Sequence, residues 1–414
     1  MQTKQEPIVI TGVGVVSPIG IGKDNLWSSL KTGSTGFKTI SLFDTSNTRS
    51  KLAAEITNFN PHEILGTSVG LKNMDRSTKL ALCAAKLALD DANLNIDDSN
   101  NENIGVILGS TNSSIYSASE FDKQSLIQGA HTVNPAHFPN LVMCGAPSQV
   151  SIRFGIKGLC STVASGPNSG FSAMQYAMKM IECGHIQSAL VGSMEELCEQ
   201  TYKAFNRLEL LSGSKNGQSE LSAPLDRRRN GFVMGEGAVV FLLETFERAK
   251  ARQAKIYAKI SHVLEEPSFI CHNSFRPYLR NLERFISQSI EENQLLYKNI
   301  DFISIGANSS MGRDVLEAKI ADAILVEEDG SVVSSIKSLL GESFSASISF
   351  QIAASLFCME TGCVFPTVGV KKIDSRCYVR NLVQKTISMK VKKSLVCSAD
   401  LGSPISLMAL EKID

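Results

Sequence analysis

Ten cysteines, six histidines and 41 carboxylates are the groups of this chain that could attack a substrate, move protons or hold a metal. Their spacing narrows the chemistry. No Cys-x-x-Cys pair occurs, and Cys271-His272 is the only adjacent cysteine and histidine, so no zinc site is expected. The cysteines are thinly scattered and several stand in apolar context (Cys83, Cys160, Cys358, Cys397). That fits small buried hydrophobes in a reducing compartment better than a disulfide framework. Gly12-Val-Gly14-Val-Val-Ser17-Pro18 follows a strand-like run over residues 7–11 and comes near a dinucleotide fingerprint. Ser17 stands where the third glycine belongs, no acidic residue follows at about twenty positions, and Pro18 continues a helix poorly. A tight glycine turn after a buried strand is the better reading.

The elements that must position these groups alternate along the chain. Apolar spacing predicts helices over 75–93, 146–154, 170–183, 281–293, 314–325 and 346–358. Strands are predicted over 104–108, 188–191, 256–260, 300–305, 332–335, 386–391, 394–397 and 405–410. A short segment over 159–164 leads into Ser165-Gly-Pro-Asn-Ser-Gly170, whereas residues 117–140 read as a polar, loop-like region. The alternation implies α/β layers with mixed sheets. At 414 residues the chain exceeds the roughly 250–300 at which a single core stops growing, so two core-forming halves are expected. The one soft boundary follows the charged stretch from Glu247, dividing the chain into 1–252 and 253–414.

Charge and hydropathy exclude several classes. Lys+Arg and Asp+Glu both number 41, which argues against nucleic acid or an anionic membrane as the main partner. No apolar run approaches the ~18 residues of a membrane span. The polar start, residues 1–7, does not resemble a secretory signal, so a cytoplasmic protein is expected. A net charge of zero removes one defence against association and suits a chain that buries surface against a partner.

Several segments resemble the β-ketoacyl synthase family, in family order and over nearly the whole chain. They are Val9-Ile-Thr-Gly-Val-Gly-Val-Val-Ser-Pro-Ile-Gly20, Gly155-Ile-Lys-Gly158, Asp314 with Glu317, and Lys337-Ser338 with Gly341. The most specific is Pro224-Leu-Asp-Arg-Arg-Arg-Asn-Gly-Phe-Val-Met-Gly-Glu-Gly-Ala238. The resemblance implies a thiolase-like fold, two similar α/β halves in α-β-α-β-α layers with mixed sheets. It also implies three positions for chemistry: a cysteine that attacks an acyl thioester above a helix N-terminus, and two histidines that assist decarboxylation and steady the oxyanion.

All three positions are empty here. The family's Thr-Ala-Cys-Thr-Ser-Gly turn aligns with Ser165 to Gly170, which places Pro167 at the nucleophile. The His-Gly-Thr-x-Thr loop before Gly-Asp-x-x-Glu aligns with Gly306 to Ser310, so Gly306 takes the first histidine's place. Glu342 follows Lys337-Ser-Leu-Leu-Gly341 where the second histidine belongs, and the family's glycine-rich C-terminal loop reads Ser398-Ala-Asp-Leu-Gly-Ser403. Glu342 is read as a structural partner for the retained Lys337, with a surviving acid/base as the alternative. Ser165 and Ser169 flank the turn without a histidine nearby, and Cys160 is read as packed in the sheet.

This pattern resembles the chain-length factor, the ketosynthase beta subunit of type II polyketide synthases. That subunit lacks the active cysteine and pairs with a competent ketosynthase alpha subunit. Its usual replacement for the cysteine is glutamine, from which Pro167 departs. The resemblance implies no catalytic residue, cofactor or metal in this chain, and an alpha subunit and an acyl carrier protein as partners. It also implies that the loop from Asn134 to Asn140 reaches the partner's acyl tunnel, which makes His137 and Phe138 candidates for lining its far end. Two alternatives stand beside it: an enzyme of the same fold using Ser169 or Glu342 on an acyl thioester, and a scaffold protein unrelated to polyketides.

Overall fold

The computed structural model describes residues 6–112, 114–215, 218–266, 288, 298–327, 330–399 and 404–413. Strand β1 (Ile8–Ser17), helix α1 (Arg76–Asp91), β2 (Ile104–Gly109), α2 (Ile115–Gln128), α3 (Gly145–Phe154) and β3 (Cys160–Val163) come first. They are followed by α4 (Ser169–Glu182), β4 (Ser188–Glu195), α5 (Glu199–Arg207), β5 (Gly237–Thr245) and β6 (Ala258–Glu266). Further along come β7 (Phe302–Ser304), α6 (Arg313–Glu327), β8 (Val332–Ser334), α7 (Ser345–Thr361), β9 (Lys393–Ser398) and β10 (Ile405–Glu411), with shorter helices and strands between the named elements. Of the predicted helix over 281–293 only residue 288 is described, and it is helical; the rest lies outside the described residues.

The strands form one mixed 11-stranded sheet path, β8-β7-β9-β10-β6-β1-β5-β4-β2-β3, with the two-residue strand Gly20–Ile21 hairpinned onto β1. Its two runs of five have the same order and sense. In each, two parallel pairings at the outer end give way to two antiparallel ones toward the middle. They meet where Ile8–Ile10 of β1 pair with residues 258–260 of β6.

Side chains alternating along each strand build the layers. Val106 and Leu108 of β2 face α1 and α3, while Ile107 between them faces α4. Leu395 and Cys397 of β9 face α6, and Val396 faces α7. Helices α4 and α7 thus lie between the inner faces of both runs. Helix α7 is buried from Ser345 to Met359, and a helix enclosed on every side needs no polar face. Among the described residues no helix is long and apolar enough to cross a membrane.

Three expectations are corrected. The glycine turn after residue 11 is absent: β1 runs through Gly12 and Gly14, with a bulge beyond Ile10, and reverses only after Ser17. These glycines permit close approach, since a Cβ at either position would overlap a carbonyl of α1, that of Ala88 or Ala84. The polar region over 117–140 contains helix α2 followed by 3₁₀ turns, Ala130–Thr132 and Pro135–Leu141. No side chain of α2 is buried, so it has no apolar period to read. The strand over 386–391 shrinks to Ile387–Ser388.

Two buried carboxyls close β4. Glu195 accepts from the Thr111 and Asn112 N–H groups (3.0 and 2.8 Å) and the Ser345 hydroxyl (2.7 Å), and burial still pushes it up to about 7. Glu196 accepts from Ser77 N–H (3.1 Å), and among the described residues its Oε1 has no hydrogen-bond partner. Burial, reinforced by the charge of Asp75, pushes Glu196 from 4.5 up to about 8. Across that interval the folded protein keeps a proton that the unfolded chain has released, so stability falls as pH rises. The urea midpoint should therefore decline between pH 5 and pH 8. Glu196→Gln, which holds the neutral shape, should decline less and be the more stable protein at pH 8; parallel profiles would contradict this origin.

Candidate functional site

The three degenerate positions sit at element ends that converge between the two runs of strands. Pro167 lies in the 3₁₀ turn Gly166–Asn168 that opens α4, half-buried. Its fixed φ suits a first turn. The same ring removes a backbone N–H as well as the nucleophile, so this turn can neither attack a carbonyl nor donate to an oxyanion from that residue. Ser169 offers no replacement: it is buried, and its hydroxyl donates to the Gly166 carbonyl (2.5 Å) and the Ser110 carbonyl (3.1 Å).

Gly306 follows β7, and its N–H donates to Glu317 Oε2 at 3.0 Å. A Cβ at this position would lie 2.5 Å from Glu317 Oε1 and 3.2 Å from an Arg313 guanidinium nitrogen. No side chain fits. In the register set by Asp314 and Glu317, Arg313 stands at the glycine of the family's Gly-Asp-x-x-Glu motif. A small residue has become large next to a large one that has become small. The guanidinium now reaches into the space beside Gly306.

Glu342, in the turn between Gly341 and α7, receives that guanidinium. Its Oε2 accepts from Asn308 Nδ2 (2.6 Å), Lys337 Nζ (2.7 Å) and Arg313 (3.2 Å). Its Oε1 accepts from the Phe344 N–H (2.9 Å) and the Ser347 hydroxyl (2.8 Å). Burial would raise this carboxyl, but the facing Lys337 and Arg313 outweigh it and hold it down at about 2. Burial, with Arg313 nearby, lowers Lys337. Glu317 is pushed up by burial against the pull of Arg313, and it accepts from the Ala399 N–H at 2.6 Å.

The cluster continues to the first position. Arg313 donates to Ser398 Oγ (3.2 Å), Ser398 donates to Asn168 Oδ1 (2.9 Å), and Asn168 donates to the Pro404 carbonyl (2.6 Å). Hydrogen bonds and ion pairs therefore link the neighbour of Pro167 to Glu342 and Lys337. Cys397 is the thiol beside this cluster. It is buried, it donates to Glu317 Oε2 (3.4 Å), and burial with the Glu317 charge pushes it well above its ordinary value, so it is not a thiolate. A carboxylate that accepts from five groups, beside a protonated thiol, makes a cross-linked interior cluster.

The remaining candidates lie elsewhere. His137 borders a cavity of about 390 Å³ with Tyr116, Phe121 and Ile127 of α2 and with Val133. Phe138 is 60% exposed and does not line that cavity. Cys160 is on β3 but exposed, not packed in the sheet, because β3 is the end strand. Residues 400–403 of the C-terminal loop and Cys271-His272 lie outside the described residues. Arg313 was missed by the sequence reading, and its signal was the lost glycine one residue before Asp314.

This chain belongs to the β-ketoacyl synthase family, a family of acyl-transferring synthases: residues 5–249 match its N-terminal domain and residues 271–371 its C-terminal domain. It is similar to the tetracenomycin polyketide synthase ketoacyl synthase alpha subunit of Streptomyces glaucescens, with 28% identity over 396 residues and 92% of each chain covered. It is also similar to 3-oxoacyl-[acyl-carrier-protein] synthase 2 of Coxiella burnetii, with 25% identity over 408 residues and 98% of each chain covered. The fold superposes on the ishigamide ketosynthase/chain length factor with a TM-score of 0.88 at 24% identity, covering 99% of this chain and 100% of that one. The thiolase-like architecture expected from the motifs is the one observed.

The exchange between positions 306 and 313 predicts non-additive stability. Gly306→Ala should destabilise by ~1–3 kcal/mol because the methyl group overlaps Glu317. Arg313→Gly should cost ~3–5 kcal/mol by stranding buried carboxylates. In the double variant the freed space relieves the methyl, so a double-mutant cycle by urea unfolding should show at least ~1 kcal/mol of favourable coupling. Simple additivity would show that the two positions do not share space.

Proposed function

We propose that this chain is the non-catalytic chain-length factor of a heterodimeric ketosynthase, which elongates a polyketide or polyene chain carried by an acyl carrier protein. One observation carries the reading. Positions 167, 306 and 342 hold proline, glycine and glutamate, and the space between them is filled by Arg313 in a matched ion cluster. Ser169 is buried with its hydroxyl engaged, and Glu342 is held ionised against two cations, which weighs against a relocated nucleophile. The solved ketosynthase/chain length factor of ishigamide and the AntDE:AntF complex support the kind of assembly proposed, the latter being described as a type II acyl carrier protein with its ketosynthase bound to a hexaketide.

The surface supports a partner. Strand β3 ends the sheet with an open edge, and such an edge invites pairing with another chain. Near it in sequence, Phe138, Val142, Met143 and Ile152 are exposed, and α2 exposes Leu126 and Ile127. Exposed apolar side chains in such number mark an interaction surface. In this reading His137 and the exposed Phe138, carried by the loop from Asn134 to Asn140, reach the partner's acyl tunnel and line its far end. The halves 1–252 and 253–414 act as one subunit in the cytoplasm.

Co-expression with a ketosynthase from the same source tests the assembly and should give a stable one-to-one complex. A homodimer indifferent to the ketosynthase would overturn it. Within the complex, His137→Ala and Phe138→Ala should lengthen the product as read by mass spectrometry; an unchanged product from a fully assembled complex would remove both residues from the tunnel.

A further inference from the structure

The chain as a whole is neutral, yet one cavity is walled by charge of a single sign. It measures about 320 Å³ and lies where the short helix Pro61–Leu65 and the 3₁₀ turn Leu71–Asn73 meet the opening of α1. Lys72, Arg76 and Lys79 line it, and among the described residues no carboxylate does. Phe59 and Leu71 supply an apolar wall. None of these residues is a member of the cluster around Glu342.

The cations are held in different ways. Arg76 is fixed: its Nε and Nη2 donate to Glu236 at 2.7 and 2.6 Å, and Nη2 also donates to the Ile56 carbonyl (2.9 Å). The centre of the Phe59 ring lies 5.6 Å from its guanidinium carbon. Among the described residues Nη1 has no partner, which leaves it as the donor for a ligand. Lys79, one turn further along α1, is half-buried, and among the described residues its ammonium makes neither a hydrogen bond nor an ion pair. Burial lowers its pKa, helped by the charge of Arg76 and against the pull of Asp75 and Glu196. Lys72 is exposed at the rim and also unpaired among the described residues. A half-buried ammonium without a counter-charge costs free energy that a bound anion would offset.

We propose that this cavity binds a small phosphomonoester, with the phosphate against Lys72, Lys79 and Arg76 Nη1 and the organic group against Phe59 and Leu71. Three cations match a dianion better than the single charge of a carboxylate. A planar guanidinium flanked by two point charges presents donors to several phosphate oxygens at once. The volume is that of a small-molecule site. The inference rests on the cavity and holds whether or not the chain is a chain-length factor.

Full-length protein, in complex with its ketosynthase where one forms, is titrated with phenyl phosphate by isothermal calorimetry. Inorganic phosphate, phenylacetate and phosphatidylglycerol vesicles are the comparisons. Phenyl phosphate should bind roughly tenfold more tightly than inorganic phosphate, which lacks the ring, and than phenylacetate, which lacks the second charge. Added salt should weaken it. Lys79→Gln and, separately, Lys72→Gln should each weaken binding roughly tenfold, while Lys31→Gln/Lys250→Gln, exposed cations elsewhere, should not. Without ligand, Lys79→Gln should melt no lower than the parent protein, which separates lost binding from lost fold; a lower melting temperature would show that Lys79 serves the fold instead. No saturable binding of phenyl phosphate, equal binding of inorganic phosphate or phenylacetate, preference for the vesicles, or equal loss from the distant pair would overturn the proposal.

Discussion

The constraint on which the interior depends is the placement of the Arg313 guanidinium, removed from water between Glu342 and Glu317. A buried cation is tolerable only where carboxylates and hydrogen bonds surround it, and each of those groups then becomes obligatory in turn. Glu342 must be acidic because Lys337 and Arg313 both face it. Gly306 must lack a side chain because Glu317 and Arg313 occupy the place of its Cβ. Ser398 and Asn168 carry the network to the opening of α4. Two cations and two anions balance, and they connect α4, α6, α7 and β9, elements drawn from both runs of strands. Removing one member would leave the others uncompensated.

The same geometry explains how the architecture persists without the family's reactive groups. Those groups belong at element ends, whereas the layers are held by element interiors: α4 and α7 against the inner strand faces, and α1, α3 and α6 against the outer ones. Proline at the first turn of α4 keeps a helix start that a cysteine would otherwise occupy. The ion cluster of Arg313, Lys337, Glu317 and Glu342 ties these element ends together. Fold and reactivity are separable here because they are encoded by different residues.

That division also governs what could be read from the sequence. Helices with one buried face, such as α1, and the alternating runs of α/β elements were legible because burial imposes a period on them. The assignment of Glu342 and Gly306 to family positions rests on their neighbours: Lys337 and Gly341 set the register for Glu342, and Asp314 with Glu317 does so for Gly306. Helix α2 was not legible, since none of its side chains is buried within this chain and no period marks it. Gly12 and Gly14 were misread as a turn because a glycine needed for positive φ and one needed for close packing look alike in one sequence. Arg313 was invisible for a different reason. Its meaning depends on Gly306, seven positions earlier, and only geometry shows that one occupies the other's space.

The surfaces of the described residues differ in kind. The side bearing α2 and β3 is apolar with an open strand edge, the character of an interface buried for the lifetime of a complex. The loops around Asp226 and Asp374 instead carry exposed cations on a base fastened by hydrogen bonds. The neutral total charge conceals this partition. Asp226 and Asp374 spend their charge on partners within the chain, and their neighbours Arg227, Lys371 and Lys372 face solvent. In the proposed heterodimer the apolar side bearing α2 and β3 is the one that holds the ketosynthase.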